Sequence, residues 1–401
     1  MHYRYGIIGG GLTASAAIEG IRSRDQEGSV LLLSRDNHRP YDRSPLTKQL
    51  WSGEMTLDGL AAHDDDWYRE NRIDVRLRHE VVEIDPEKRK LWDASGEEIG
   101  YDELLIATGC RPRRLEAEGA GLSSVRYFRD LDDYLELERR VERAQHVTIV
   151  GGGFTGLEMC MALRGRGLSV SLVLPEDFPM PRMLPRELGL GIVDYLREQE
   201  VEVVTGDTLV RITESAGFVH ARTRNGDDLT TQLVLVDVGG EPLVELADAA
   251  GLDTDTGIVV DEYGRASKAH VWSAGDVAEF PYLALGQLMR VESTDHALQM
   301  GRTVGANMAG AETPYAHLPL KWFRVGELLF EGVGELSARL DHDTLWLEPG
   351  REGAFLYSWE GAVRGVLLLG LSSRIEWARD LVRQQAPAAD VARTLLAGVK
   401  Q

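Results

Sequence analysis

The sequence predicts an α/β chain in which one strand–turn–helix–strand unit occurs twice. Three observations predict it. A glycine-rich turn follows a short apolar run at two places. Each turn leads into a helix-like segment, and each helix is followed by a second apolar run with an acid after it. At about 150 residues per domain, a chain of 401 residues holds roughly two to three domains.

The first unit opens on the strand-like run Tyr5 to Ile8 and turns through Gly9-Gly10-Gly11-Leu12-Thr13-Ala14. Helix-like Ala16 to Ile21, the apolar run Val30 to Leu33 and then Asp36 follow. The second unit has Val147 to Val150, the turn Gly151-Gly152-Gly153-Phe154-Thr155-Gly156, helix-like Leu157 to Leu163, the run Val170 to Leu174, and then Glu176 and Asp177. The order has a chemical reason. The first glycine makes a tight turn, the second lets backbone approach a pyrophosphate, and the third small residue lets helix pack on strand. The helix N-terminus faces the phosphates, and the acid accepts from ribose hydroxyls. Two such units predict two dinucleotide sites. An unrelated α/β protein with two glycine-rich turns leaves the acids after the second strands unexplained.

Two further strand ends belong with the first unit. Val271-Trp272-Ser273-Ala274-Gly275-Asp276 is a short buried strand ending in an acid that can cap the next helix while accepting from a polyol hydroxyl. Leu104-Leu105-Ile106-Ala107-Thr108-Gly109 is an apolar strand ending in small residues, where a backbone can approach a ligand. Together they predict a large, discontinuous first domain.

Composition narrows the function. Hydrophobic residues make up 43% and charged residues 27%, which excludes a disordered or fibrous chain. The net charge of −21 argues against nucleic acid and anionic membranes as partners. Cys110 and Cys160 are too few for a disulfide framework and read as small buried fillers, so the chain is expected in the cytoplasm. No secretory signal and no run of about 18 uncharged apolar residues is expected to anchor it. No metal site is expected. His63 beside Asp64, Asp65 and Asp66 reads as a solvated acidic loop.

The two units, Ala107 to Gly109 and Gly275-Asp276 together resemble the two-dinucleotide-binding-domain flavoproteins. Within them, Arg39-Pro40-Tyr41-Asp42-Arg43-Ser44-Pro45-Leu46-Thr47-Lys48 resembles the segment marking FAD-dependent NAD(P)H–ferredoxin reductases of oxygenase systems, the rubredoxin- and putidaredoxin-type reductases. The apoptosis-inducing factor group shares the architecture. The resemblance spans essentially the whole chain, with Phe355 to Arg379 similar to the family's C-terminal interface domain. It implies two Rossmann-like domains plus a small C-terminal α+β domain. The FAD domain would cover 1–111 and 238–313, the NAD domain 112–237, and the C-terminal domain 314–401.

The resemblance also implies roles. For FAD these fall on Gly9, Gly11, Ala14, Asp36 (adenosine ribose), Arg43 and Arg129 (pyrophosphate), Val81 (adenine, through its backbone), Ala107, Thr108, Gly109, Asp276 (ribityl chain), Glu292, Thr294 and Trp322 (beside the flavin). For NAD they fall on Gly151, Gly153, Phe154, Thr155, Gly156, Glu158, Glu176, Arg182 and Gly239. Lys48 and Glu158 would pair near flavin N5 as the catalytic couple. A cation there stabilises the anion left by hydride arrival, and the carboxylate keeps that cation charged and fixed.

A carboxylate at Glu176 suits a free ribose 2′-hydroxyl and repels a 2′-phosphate, so NADH is favoured over NADPH. Many ferredoxin reductases carry this acid where Leu174 stands; Glu176 with Arg182 is more like the apoptosis-inducing factor group. Disulfide reductases, peroxidases and water-forming oxidases of the wider group need cysteine after the first unit, and residues 34–50 contain none. The expected function is hydride uptake from NADH by FAD and single-electron delivery to a [2Fe–2S] ferredoxin or Rieske-type protein. The alternatives are a slow NADH-responsive flavoprotein with a redox-sensing or interaction role, and an NADH oxidoreductase using quinone or oxygen. Monomer and homodimer stay open. Four departures from the family pattern, at Thr294, Lys321, Phe323 and Arg324, bear on the acceptor side. Lys321, Arg324, Arg290 and Arg302 are candidates for a basic docking patch.

Overall fold

The structure, a computed structural model, describes residues 1–391. Their contacts form two compact units. The first comprises Met1–Asp42, Leu57–Arg111 and Glu241–Lys321, and the second comprises Arg43–Thr56, Pro112–Gly240 and the chain from Trp322 on. Residues 392–401 of the expected C-terminal domain lie outside the described residues.

The first unit is built on a seven-stranded sheet. Its order is Ile73–Leu77, Val30–Ser34, His2–Ile8, Glu98–Ile106, Lys90–Asp93 and Val81–Asp85, with Val271–Ser273 also pairing Glu98–Ile106. The pairings among Ile73–Leu77, Val30–Ser34, His2–Ile8, Glu98–Ile106 and Val271–Ser273 are parallel. Every residue of Val30–Ser34 is buried, which is why it reads as an unbroken apolar run rather than an alternating one. The helix Leu12–Arg22 carries the small residues Ala14, Ala16 and Ala17 on buried positions. It packs on Thr294–Met308 almost backbone to backbone, because a Cβ on Gly305 would lie 2.0 Å from the Ala17 carbonyl oxygen.

The second unit has a five-stranded parallel sheet, ordered Val201–Val204, Ser169–Val173, His146–Val150, Leu233–Val236 and Val125–Tyr127. A three-stranded antiparallel sheet, Leu209–Ser215, Phe218–Thr223 and Asp228–Thr231, accompanies it. The C-terminal part folds as a five-stranded sheet ordered Leu320–Val325, Leu328–Gly334, Ala362–Leu369, Glu352–Trp359 and Asp341–Glu348, with the helix Ile375–Gln384. Among the described residues no helix is long and apolar enough to cross a membrane.

Three local expectations change. The second helix runs Phe154–Gly165 and so starts three residues before the expected Leu157, which puts Glu158 beyond its first turn. Asp276 caps no helix; it lies within the single 3-10 turn Gly275–Val277. The acidic stretch after His63 is no loop. Asp64 caps the helix Asp65–Glu70 by accepting from the Trp67 N–H, and His63 bonds Glu19 at 2.9 Å and stacks on Trp67. A short polar run followed by an aromatic pair satisfies its backbone best as a capped helical turn.

One buried imidazole makes the first unit sensitive to acid. His296 is wholly buried, stacked on Phe280 at 4.7 Å, with Nδ1 2.9 Å from the Tyr315 hydroxyl. Burial pushes its pKa down to about 3. The unfolded chain takes up this proton near the ordinary histidine value, so stability is full above about pH 6.5 and is lost as pH falls toward 3. Thermal unfolding between pH 7 and 5 is expected to show a falling midpoint for the wild type and a flatter profile for His296→Phe. Equal slopes would exclude His296 as the group responsible.

Candidate functional site

The first glycine turn is fixed by two backbone hydrogen bonds. The Gly9 N–H donates to the Leu33 carbonyl at 2.9 Å, and the Ala107 N–H donates to the Ile8 carbonyl at 2.8 Å. Gly9 has φ +125°, and a Cβ there would lie 2.1 Å from the Ala107 carbonyl oxygen, so only glycine lets the strands close on the turn. Gly11 begins the helix with no side-chain cap and no acid in the first turn, and nothing stands within 4 Å of where its Cβ would be. A helix N-terminus facing open space is an anion seat.

The polar groups around this seat come from three strand ends. Asp36 follows Val30–Ser34 and is half-buried. The Thr108 hydroxyl donates to the Leu243 carbonyl at 2.9 Å, holding the segment Ala107 to Gly109. Gly275 backs onto Thr13, where a Cβ would lie 2.2 Å from the hydroxyl, which brings Asp276 to the start of the helix. Val81, nearly buried, opens the strand Val81–Asp85. Glu292 and Thr294 bracket Ser293, whose hydroxyl caps the helix Thr294–Met308 by accepting from the His296 N–H. An open helix N-terminus with the carboxylates of Asp36 and Asp276 at strand ends of the same unit fits a group that carries a diphosphate and hydroxyls, as FAD does.

The second turn repeats the first bond for bond. The Gly151 N–H donates to the Val173 carbonyl at 2.9 Å, and the Asp237 N–H donates to the Val150 carbonyl at 2.8 Å. Gly151 has φ +102°, with a Cβ position 2.0 Å from the Asp237 carbonyl oxygen. This aligns Leu33 with Val173, Asp36 with Glu176, and Ala107-Thr108-Gly109 with Asp237-Val238-Gly239. Glu176 and Arg182 are exposed. Gly153 caps the helix, Thr155 lies in its first turn, and Gly156 packs its Cα face on the Gly151 carbonyl. The Phe154 ring stacks on Phe323 at 4.6 Å, and Phe323 stacks on Phe330 at 4.6 Å. The turn fits a dinucleotide, with one added group: the Asp237 carboxylate accepts from the Gly156 N–H at 2.7 Å. Asp237 escaped the sequence reading. Aligning the strand ends of the two repeats, Ala-Thr-Gly against Asp-Val-Gly, is the signal that finds it.

Lys48 and Glu158 meet, 110 residues apart in the chain, within the second unit. Lys48 lies between the 3-10 turn Ser44–Thr47 and the short helix Gln49–Ser52. Its Nζ is 2.7 Å from Glu158 Oε2, with side-chain exposures of 15% and 5%. The Thr47 hydroxyl donates to the same oxygen at 2.5 Å, and the Arg324 N–H donates to Oε1 at 3.2 Å. Lys48 Nζ also donates to the Ser44 carbonyl and sits 4.6 Å from the Trp322 ring centroid. Burial pushes the Glu158 carboxyl up, and Lys48, Thr47 and the Arg324 N–H pull it back. The arrangement holds a positive charge in a nearly dry place.

Residues 3–301 match the family described as pyridine nucleotide-disulphide oxidoreductase. The chain belongs to this family. It is an oxidoreductase of the two-dinucleotide-binding flavoprotein type. It is 31% identical over 384 residues to the biphenyl dioxygenase system ferredoxin–NAD(+) reductase component of Paraburkholderia xenovorans (strain LB400), covering 94% of this chain and 92% of the relative. Two solved structures are similar. The ferredoxin reductase for the CYP199A2 system from Rhodopseudomonas palustris is 31% identical, with TM-score 0.86, 92% of this chain covered and 91% of that one. Putidaredoxin reductase, in its covalent complex with putidaredoxin, is 25% identical, with TM-score 0.90 and coverage of 96% and 94%.

Other side chains of this oxidoreductase fall into place. Cys110 and Cys160 are free and buried. Cys160 is inert filler, since burial pushes its thiol far up. Cys110 does more than fill, because Arg290 Nη1 lies 3.2 Å from its Sγ, 2.7 Å from Glu292 Oε1 and 2.9 Å from the Asp276 carbonyl. Cys110, Asp276 and Glu292 offer ligand atoms within 4.8 Å of one another, and the guanidinium already supplies a cation there. Of the four basic candidates for a docking patch, Arg324 is exposed, and the other three are engaged or buried. Arg290 pairs with Glu292, Arg302 pairs with Glu19 at 2.6 Å, and burial pushes the Lys321 ammonium down. Arg129 donates its N–H to Asp133, and Arg43 is half-buried at the start of the Lys48 turn.

Removing one member of the buried pair strands the other. Lys48→Met is expected to cost about 3 kcal/mol in urea unfolding at pH 7, with most of that recovered in Lys48→Met/Glu158→Gln. Additive losses would show that the two side chains do not depend on each other.

Proposed function

We propose that this oxidoreductase takes a hydride from NADH onto FAD and passes electrons singly to a [2Fe–2S] ferredoxin or Rieske-type protein of an oxygenase system. The observation that carries the reading is one chain with two matching dinucleotide turns and a buried Lys48–Glu158 pair. FAD, when bound, supplies the step from a two-electron donor to one-electron transfer. The open helix N-terminus at Gly11 seats its diphosphate. Asp36 and Asp276 take hydroxyls, Ala107, Thr108, Gly109 and the Val81 backbone line the site, and Arg43 and Arg129 neutralise phosphate. Glu292, Thr294 and Trp322 belong to the flavin end.

The nicotinamide donor belongs to Gly151, Gly153, Phe154, Thr155, Gly156 and Gly239. Glu176, aligned with Asp36, supports NADH over NADPH, because a carboxylate at the ribose favours a free 2′-hydroxyl; Arg182 is the second residue assigned to this end of the dinucleotide. Lys48 holds a positive charge for the reduced flavin, and Glu158 with Thr47 holds Lys48. The division into an FAD domain (1–111 and 238–313), an NAD domain (112–237) and a C-terminal domain (314–401) is part of the proposal, as is a cytoplasmic location. The names of the relatives support the acceptor class.

Anaerobic stopped-flow reduction of the yellow protein tests this. NADH is expected to bleach the flavin faster than NADPH, and a [2Fe–2S] ferredoxin is expected to reoxidise it rapidly. Lys48→Met, with FAD content verified, is expected to slow bleaching about 100-fold. Slow bleaching with no effect of ferredoxin would favour a redox-sensing protein instead, and fast reoxidation by quinone or oxygen alone would replace the acceptor.

A further inference from the structure

We propose that Asp237 is a built-in anion in the second dinucleotide turn and that it weakens binding of the dinucleotide pyrophosphate. The inference rests on reading that turn as the NADH turn.

The two turns supply the comparison. They share the same backbone bonds, yet the position held by Ala107 in the first holds Asp237 in the second. At the first turn nothing stands within 4 Å of the Cβ position of Gly11. At the corresponding Gly153, Asp237 Oδ2 lies 2.5 Å from that position and Oδ1 lies 3.4 Å away. The same Oδ2 accepts the Gly156 N–H at 2.7 Å. One seat is open, and the other already holds a carboxylate.

The chemistry follows from charge and from donors. A helix N-terminus offers a few free N–H groups and a partial positive charge to an anion. Asp237 takes one of those donors and offsets the charge. An arriving diphosphate must displace this carboxylate or lie beside it, and both cost affinity. In the protein without dinucleotide the same carboxylate satisfies the helix end, so the side chain stabilises the free turn at the expense of the bound one. Asp237 thereby raises the NADH concentration at which the turn fills.

The test is calorimetric titration of the FAD-loaded protein with ADP-ribose, which carries the pyrophosphate and no nicotinamide. Wild type, Asp237→Ala and Asp237→Asn are compared. Alanine is the residue of the first turn; asparagine keeps an acceptor for the Gly156 N–H and drops the charge. Both variants are expected to bind at least about tenfold tighter, with KM for NADH falling in step. Should Asp237→Ala fail to fold, Asp237→Asn carries the test. Unchanged or weaker ADP-ribose binding in the folded variants overturns the proposal. If wild type binds ADP-ribose and is bleached by NADH while the variants bind no tighter, the role of Asp237 falls alone. If none of the three binds and NADH leaves the flavin oxidised, the reductase reading falls with it.

Discussion

Both nucleotide units depend on one close approach. At Gly9 and at Gly151 the carbonyl oxygen ending a neighbouring strand lies about where any other residue would place its Cβ. This contact sets how far the glycine turn sinks between strands, and so where the following helix begins. Gly11 and Gly153 then fall at the helix N-caps, and Asp36 and Glu176 fall three residues beyond the carbonyls that receive the glycine N–H groups. A side chain at either first glycine would push strand from turn and lift the helix away from its phosphate seat. The constraint is steric and local, and the whole dinucleotide geometry inherits it.

The Lys48–Glu158 pair shows the opposite kind of design, in which an unfavourable burial is held by several partners at once. Desolvation works against the Glu158 carboxylate, and it stays in place because an ammonium, a hydroxyl and a backbone N–H all converge on it. A lone buried ion pair is weak support for a fold. A charge fixed by three donors is well suited to a site that must present a cation without water around it, which is the condition under which electrostatic stabilisation is largest.

What the sequence made legible follows the same division. The repeated glycine turns, the buried strands Val30–Ser34 and Ser169–Val173, and the acids after the second strands are local patterns, and each one appears in the fold. The places that were not legible depend on hydrogen bonds and ion pairs that the local pattern does not fix. The second helix was expected from Leu157, but its start at Phe154 is set by Gly153 and not by Gly156. The ion pairs that consume Arg290 and Arg302 come from Glu292 and Glu19, and only the second lies far off in sequence. Asp237 was readable in principle, but a single acid at a strand end carries no meaning until the two repeats are aligned by their hydrogen bonds.

The departures at Phe323 and Arg324 have a packing explanation. On the strand Leu320–Val325 successive side chains face opposite ways, so Phe323 is buried at 1% exposure while Arg324 is exposed. Phe323 completes a stack of three rings with Phe154 and Phe330, and so ties the first helical residue of the second dinucleotide turn to the C-terminal sheet. Each stacked aromatic pair adds on the order of 1 kcal/mol beyond burial of its area. At residue 324 the contact that reaches Glu158 is the backbone N–H, not the side chain. The Arg324 side chain can therefore vary without disturbing the buried pair, and its charge acts on what approaches from solvent.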